Sequence, residues 1–440
     1  MISVLISKPT KFKVTKAGNI PMDWEVKKIK HVAKFNEIPI NKSYIHKEID
    51  YIDISSVKEG RIIEIKRIST AQAPSRAKRV IRDNDILIST VRPNLKHYTF
   101  IAKSSEKLIA STGFVVISAK TINPHFLYYY LTSKHYTDFL ASIADTHTST
   151  YPAFTPDVIK RTFLPFPPVT EQKRIGRVLS KFDEKILLNY EINKTIISVG
   201  YTLFKHWFEK FRFFENQVKI GEKSDENTLI FADENSENCN YGTIGDIVQV
   251  QAGYAFKSKE FLEHGILGVV KIKNISEDVV NIKDTQFISK ETALRIDERF
   301  IVDSGAVLIA MTGANVGKIG IVPKTNKTLW LNQRVGMFKE KVKYGLYFIY
   351  FLLSSEKYQR ILKSMAKGTA QPNLSTSDIE SIEIILPPQE EIKKFGLFFD
   401  PFFQYMINNF NENKRLSEIR DELTPKLISG KVRLKNSRNL

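Results

Sequence analysis

Residues 167–208, PPVTEQKRIGRVLSKFDEKILLNYEINKTIISVGYTLFKHWF, decide the fold, because the chain carries the stretch a second time. The second copy starts at Pro387 and reads PPQEEIKKFGLFFDPFFQYMINNFNENKRLSEIRDELTPKLI. Setting Pro167 on Pro387 brings Gly176 onto Gly396, Phe182 onto Phe402, Asn189 onto Asn409, Asn193 onto Asn413 and Leu203 onto Leu423, half of the 440-residue chain away. This is an internal duplication. Both copies open on Pro-Pro and then acidic residues, Glu171 in one and Glu390 with Glu391 in the other. Proline ahead of a first turn and carboxylates near the positive end of a helix dipole are start signals.

In alternating steps of four and three, the first copy reads Ile175, Leu179, Phe182, Ile186, Asn189, Asn193, Ile196, Gly200, Leu203, Trp207. The second reads Phe395, Phe399, Phe402, Met406, Asn409, Asn413, Leu416, Arg420, Leu423, Leu427. That is the seam of a coiled coil. A buried asparagine lowers stability but fixes register, because its amide is satisfied only by another polar group. Asn189, Asn193, Asn409 and Asn413 are therefore predicted to set the register of two long helices that pair antiparallel within the chain about a pseudo-two-fold axis. The alternative is two surface helices, each packed on its own domain. Forty helical residues span about 60 Å, enough for a spacer.

The length allows two or three domains, and a hydrophobic content of 42% is enough for real cores. A formal charge of +18 and a pI near 9.5 point to a polyanionic partner, most simply nucleic acid. A single cysteine, Cys239, excludes an internal disulfide framework and a cysteine-based zinc site, so a reducing, cytoplasmic setting is expected. No stretch has the length of a signal peptide or a membrane span.

Along the chain, the pattern around Trp24, Val26, Ile29 and Val32 predicts a short amphipathic helix before a strand at Tyr51–Ile54. Short β-branched runs at Arg61–Ile65, Asp85–Thr90 and Phe114–Ile117 predict a mostly β region, followed by a helical run from Phe126 to Ile143 and a strand from Thr162 to Phe166. Tyr128, Tyr129 and Tyr130 are expected in the core. The second half repeats this order, with a helix-like start at Tyr241–Val250, strands near Val269–Ile272 and Val307–Met311, and a helix from Tyr344 to Met365. The expected fold is α+β: a mostly β domain over 1–166, a spacer helix over 167–213, an acidic linker over 214–240, a second mostly β domain over 241–386, and a second helix with a tail over 387–435.

The halves match best in framework segments. Asn84–Ser89 aligns with Gly305–Ala310, and Tyr151–Phe154 with Gln371–Leu374, whereas the loop Thr90–Tyr98 (TVRPNLKHY) differs from Met311–Lys318 (MTGANVGK). One scaffold with two unlike polar loops is built to recognise two targets. Arg92, Asn94, Lys96, His97 and Tyr98 in the first half, and Asn315, Lys318, Asn332, Gln333 and Arg334 in the second, carry groups able to meet base edges: Arg and Lys suit guanine, Asn and Gln adenine. Arg76, Lys78 and Arg79 form a basic cluster suited to phosphates.

Catalytic patterns are thin. Gly313-Ala-Asn-Val-Gly317-Lys318 falls one residue short of a phosphate-binding loop and has Ile319 where Ser or Thr is required. Asn123-Pro124-His125-Phe126 and Asp400-Pro401-Phe402-Phe403 lack the second proline of an amino-methyltransferase loop. Asp53, Glu64 and Lys66 are compatible with a magnesium nuclease, but also with the solvent face of a strand pair. The eight histidines show no metal-ligand spacing. No catalytic residue and no metal site is expected.

With these motifs the sequence resembles the specificity subunit of type I restriction-modification systems, along essentially the whole chain. The segments that carry the resemblance are Pro167–Ile175, Leu203–Phe208, Gly368–Leu374, Leu386–Pro388 with Glu391 and Lys393, and Leu423–Leu434. The resemblance implies two target-recognition domains, each reading one half of a bipartite site in double-stranded DNA, held by antiparallel helices. It implies docking of two methyltransferase subunits that bring S-adenosylmethionine, and two restriction/translocase subunits that use ATP and magnesium, with no cofactor and no catalysis in this chain. It carries a DNA-contacting loop role to Tyr151 in the first half and to Lys367, Thr369, Gln371 and Asn373 in the second. Phe403 replaces the family-typical Asp183, and Pro401 is expected to delay or kink the second helix. The other functions left open are a magnesium-dependent DNA endonuclease and a coiled-coil interaction protein without a nucleic-acid role.

Overall fold

The computed structural model describes residues 6–7, 11–40, 44–146, 152–209, 241–275, 278–366 and 372–434, so the acidic linker with Cys239 lies outside the described residues. The chain forms two compact units, one made of Met1–Leu187 with Lys414–Leu440 and the other of Leu188–Asn413. Each unit takes one part of both long helices, which run over Val169–Glu209 and Gln389–Ile428.

In the first unit the strands of the two main sheets are β1 (Ala33–Phe35), β2 (Glu48–Ile52), β3 (Lys66–Ser69), β4 (Ala77–Val80), β5 (Ile86–Ser89), β6 (Tyr98–Phe100), β7 (Leu108–Ser111) and β8 (Phe114–Ala119). They form two four-stranded sheets, ordered β6-β5-β8-β1 and β4-β7-β2-β3. Only β7 and β2 run parallel. In the second unit the strands of the two main sheets are β9 (Val248–Ala252), β10 (Leu267–Val270), β11 (Gln286–Ile288), β12 (Ile301–Val302), β13 (Val307–Ala310), β14 (Ile319–Ile321), β15 (Thr328–Leu331) and β16 (Val335–Glu340). Their sheets, β14-β13-β16-β9 and β12-β15-β10-β11, repeat the first pair strand for strand, including the parallel step between β10 and β15. Continuous apolar runs explain the central strands. Ile86-Leu87-Ile88-Ser89 and Val307-Leu308-Ile309-Ala310 are buried at every position, as strands covered on both faces must be.

The core of the first unit joins Trp24, Ile29, Phe126, Tyr128, Tyr129, Ile175 and Leu179 to Leu427 and Ile428 of the second long helix. That of the second unit is more aromatic and gathers Phe204, Phe208, Phe348, Phe351, Phe395, Phe399 and Phe403. Tyr128 and Tyr129 are core residues, as expected. In the first unit, Arg433 pairs with the buried carboxylate of Glu171, which also accepts a 3.1 Å hydrogen bond from the Trp24 indole. A strand pair between Ile6–Ser7 and Arg433–Leu434 joins the two ends of this unit's sequence.

Within the second unit the long helices run antiparallel through their asparagines. Asn189 Nδ2 donates to Asn413 Oδ1 at 2.8 Å, and Asn409 Nδ2 to Asn193 Oδ1 at 2.7 Å. Within the first unit Arg420 of one helix meets Asp183 of the other.

Four expectations need correction. The segment before β1 is a strand, Glu25–Lys28, with a single helical turn, Ile29–Val32, and the start of the second half is likewise a strand, Tyr241–Thr243, before the turn Ile244–Ile247. Apolar residues at helical spacing there serve one turn only, because the flanking residues are drawn into strand pairs with Phe163–Phe166 and Glu383–Ile385. The helical runs 126–143 and 344–365 are each broken by a serine, Ser133 and Ser355, whose hydroxyl caps the next helix. At the seam, Phe402 is exposed and Phe403 is buried in its place, against Tyr347 and Tyr350. Pro401 does not delay the second helix, which already runs from Gln389 and continues past it.

Candidate nucleic-acid interface

The loop after β5 is tied at three points by backbone hydrogen bonds. Thr90 N donates to Gly113 O at 2.9 Å, Arg92 N to Pro152 O at 2.8 Å, and Phe154 N to Thr90 O at 3.0 Å. The loop after β13 repeats each bond with aligned residues: Met311 N to Arg334 O at 3.1 Å, Gly313 N to Pro372 O at 3.0 Å, and Leu374 N to Met311 O at 2.8 Å. Each loop then makes one 3₁₀ turn, Pro93–Leu95 or Gly313–Asn315. Each loop carries two left-handed residues at aligned positions, and in the first unit they bracket the turn. They are Arg92 (φ 47°) and Lys96 (φ 55°) in the first unit, and Gly313 (φ 75°) and Gly317 (φ 82°) in the second. Glycine adopts this conformation freely, whereas a non-glycine residue held there costs on the order of 1–3 kcal/mol. The backbones of the two loops are therefore alike while their side chains are not.

In the first unit this loop, the turn between β7 and β8 and the start of β4 are brought together. Thr112 N donates to Arg76 O at 2.8 Å, and Arg79 Nη2 to Thr112 O at 3.3 Å. The Nε and Nη1 atoms of Arg79 are buried with no hydrogen-bond partner, and burial lowers the pKa of its guanidinium. Arg76 and Lys78 flank it, exposed. The exposed Arg76 and Lys78, not these buried atoms, are the donors that an acceptor from outside can reach. A small hairpin, Val57–Lys58 with Arg61–Ile62, braces the loop: Glu59 N donates to Lys96 O at 3.0 Å and Gly60 N to Tyr98 O at 2.8 Å. This brace was not foreseen. Its one sequence signal is Glu59-Gly60, a turn dipeptide between Val57 and Ile62.

Of the first-half loop residues, Arg92, Asn94 and Lys96 are exposed, with Lys96 Nζ 4.0 Å from Glu59. His97 turns inward, its Nδ1 2.5 Å from Val57 O. Tyr98 is corrected to a core role: it pairs with Ile88 in the sheet and lies edge-on to Tyr128, 6.2 Å between centroids, and burial pushes its phenol pKa well up. In the second unit, Lys318, Gln333 and Arg334 are exposed. Asn315 is taken up by Ile272 O, to which its Nδ2 donates at 3.2 Å, and Asn332 Oδ1 accepts from Arg334 N at 3.4 Å, so these two amides shape the loops. Asn373 is exposed and bridges Thr312. Tyr151, Lys367, Thr369 and Gln371 lie outside the described residues.

The carboxylate of Asp53 is committed to structure. Its Oδ1 accepts from Ser56 N at 3.0 Å and Ser55 Oγ at 2.6 Å, capping the turn Ile54–Ser56, and its Oδ2 lies 2.9 Å from Lys66 Nζ. Burial alone would raise its pKa, but the hydrogen bonds from Ser55, Lys66 and Ser56 outweigh burial and hold it at about 2. Glu64 is 3.8 Å from the same ammonium. Among the described residues, no group of three or more His, Cys, Asp or Glu is placed to hold a metal ion, and no helix is long and apolar enough to cross a membrane.

The family profile of the type I restriction modification DNA specificity domain matches residues 21–197 and again 236–420. The chain is 29% identical over 444 residues to the MjaIX type I restriction enzyme specificity subunit of Methanocaldococcus jannaschii, covering 97% of each. It is 26% identical over 434 residues to the HindI specificity subunit of Haemophilus influenzae, covering 87% of this chain and 94% of that one. Among solved structures, the S subunit of a type I restriction-modification system from M. genitalium aligns at 16% identity and a TM-score of 0.48 over 96% of this chain and 99% of that one. The HsdS subunit of Thermoanaerobacter tengcongensis aligns at 20% identity and a TM-score of 0.37, over 94% and 98%. With one family match in each half, together spanning most of its length, the chain belongs to the DNA-specificity subunits of type I restriction-modification systems.

Proposed function

We propose that each unit reads one half of a bipartite site in double-stranded DNA, the first with the loops around Arg76–Arg79 and Arg92–Lys96, the second with those around Gly313–Lys318 and Asn332–Arg334. The observation that carries this is the loop framework, whose three tying hydrogen bonds recur in both units with unlike side chains mounted on it. A duplicated frame with matching loops would read the same bases twice; unlike loops call for unlike half-sites. The charge of +18 supplies the sequence-independent hold on phosphates that such a reader needs.

The long helices, in which each unit has a share, set the half-site spacing and dock two methyltransferase subunits. Two restriction/translocase subunits complete the assembly in the cytoplasm. The chain itself performs no chemistry; the partners bring S-adenosylmethionine, ATP and Mg²⁺. A nuclease role finds no support in Asp53, Glu64 and Lys66, because the Asp53 carboxylate already caps a turn and holds the lysine.

Exchange of residues 1–166 for the matching domain of a relative tests the two-reader scheme, with methylated sequence mapped genome-wide. One half of the methylated site should change and the other stay. A change in both halves would sink the scheme.

A further inference from the structure

The two units share three left-handed positions, one before the central strand and two in the recognition loop after it, and the residues filling them separate geometry from chemistry. At the first, just before the central strand, the chain uses Asn84 (φ 66°) in one unit and Gly305 (φ 85°) in the other. Both residue types tolerate this conformation at little cost. At the other two the second unit again uses glycine, Gly313 and Gly317, while the first unit uses Arg92 and Lys96. Among the described residues only six other than glycine have positive φ, and two of them fall on this one loop. The backbone does not ask for a side chain here, since the aligned loop closes the same three hydrogen bonds with glycines. A long cationic side chain at a strained position is kept for what its head group does.

General attraction to phosphate does not account for that choice. In a chain with 66 Lys and Arg, phosphate contacts can be made from unstrained positions anywhere on the surface. Direct reading of a base edge, in contrast, needs a head group at one place and angle, which is what a fixed left-handed residue at each end of a 3₁₀ turn supplies. Arg92 and Lys96 are both exposed. The loop that carries them is held from behind, through Glu59 N to Lys96 O and through Arg92 N to Pro152 O.

We propose that Arg92 and Lys96 read guanine in the half-site of the first unit, and that the second unit reads its half-site with no cation at the corresponding two positions. The inference rests on the chain being a DNA reader, and it names the base class that one of its two loops selects. Guanine is the partner because its O6 and N7 are the acceptors that match an arginine or lysine head group in the major groove.

The test is selection of bound duplexes from a randomised pool by the full chain with its methyltransferase partners, comparing wild type with Arg92→Gly, Lys96→Gly and, as a second left-handed-tolerant replacement, Arg92→Asn. Glycine relieves the strain, so thermal stability should be unchanged or raised. Each variant should lose about 5- to 150-fold discrimination at a G·C pair of one half-site, with the other half-site unaltered. The dependence of affinity on salt should hardly move. A uniform fall in affinity with unchanged sequence preference, and a salt dependence weaker by about one ion per substitution, would assign these side chains to phosphates and overturn the proposal. So would a loss confined to A·T pairs, or no loss at all. A wild-type assembly without any sequence preference would instead overturn the DNA-reading function itself, so the two failures are told apart.

Discussion

Where the first unit pairs Asp183 with Arg420, the second has Phe403 and Gly200 at the aligned positions, and the two units pack these helix segments by opposite physics. Asp183 Oδ2 accepts from the Tyr129 phenol at 2.6 Å while Oδ1 pairs with Arg420, and Arg420 reaches on to Asp421 at 2.7 Å. In the second unit the aligned Phe403 lies 5.8 Å from Tyr350 and 4.8 Å from Tyr347, and Phe351 and Phe399 occupy the space that a side chain on residue 200 would need. Glycine inside a helix costs up to about 1 kcal/mol, and here the rings close over it. Both aligned positions differ together. One duplicated scaffold thus carries a charged clasp in one unit and an aromatic one in the other, and neither partner could be moved to the opposite unit alone.

The largest effect expected from this contrast is in the charged clasp. Asp183→Ala leaves Arg420 without its main partner in a mostly buried place and should destabilise the first unit by roughly 2–4 kcal/mol, read by denaturant unfolding. An effect below about 0.5 kcal/mol would mean that Asp421 alone holds Arg420. Next is Gly200→Ala, which drives a methyl group into Phe351 and Phe399 and should cost about 1–3 kcal/mol in the second unit. Hydrogen exchange should place that loss among residues 188–413. If it appears equally in the first unit, the clasps are not independent.

The smallest effect contrasts two 3₁₀ turns. Ile54–Ser56 is capped by the carboxylate of Asp53, but in Ile272–Asn274 the neutral Asn274 accepts from Lys271 N at 2.9 Å. The folded pKa of Asp53, about 2, lies below its ordinary value of 3.8. Its stabilising contribution is thus present above about pH 4 and lost as pH falls through about 2. Acid unfolding of the first unit should show this loss and Asp53→Asn should remove it. Parallel acid curves for variant and wild type would rule the cap out as a pH-sensitive element.

Much of this was open to inspection in the sequence. The duplication, the long helices and the central strands are written in period and repeat, because each buries a long regular face. The asparagines stood out as polar residues on an apolar seam. The strand pairs flanking the single-turn helices were hidden, since Glu25–Lys28 joins Phe163–Phe166, more than a hundred residues away, and no local signal announces a partner that distant. Phe402 and Phe403 are adjacent and chemically identical, so only packing against Tyr347 and Tyr350 decides which is buried. In the interface, residue types named the candidates, but backbone conformation did the sorting. It turned Tyr98 inward, engaged Asn315 and Asn332 in shaping loops, and gave Arg92 and Lys96 their left-handed seats.

The pairing of Ile6–Ser7 with Arg433–Leu434 bears on how the protein is made. The unit whose synthesis starts first is the one finished last: Trp24 and Phe126 share a core with Leu427 and Ile428, which leave the ribosome only after all of Leu188–Asn413. At elongation rates of about 5–20 residues per second that is a delay on the order of ten to fifty seconds. During it the second unit has every residue it needs, while the first must keep an incomplete apolar core out of trouble. A message cut short near its end would yield one finished unit and one permanently open, so completeness of translation is written into the first unit's ability to close.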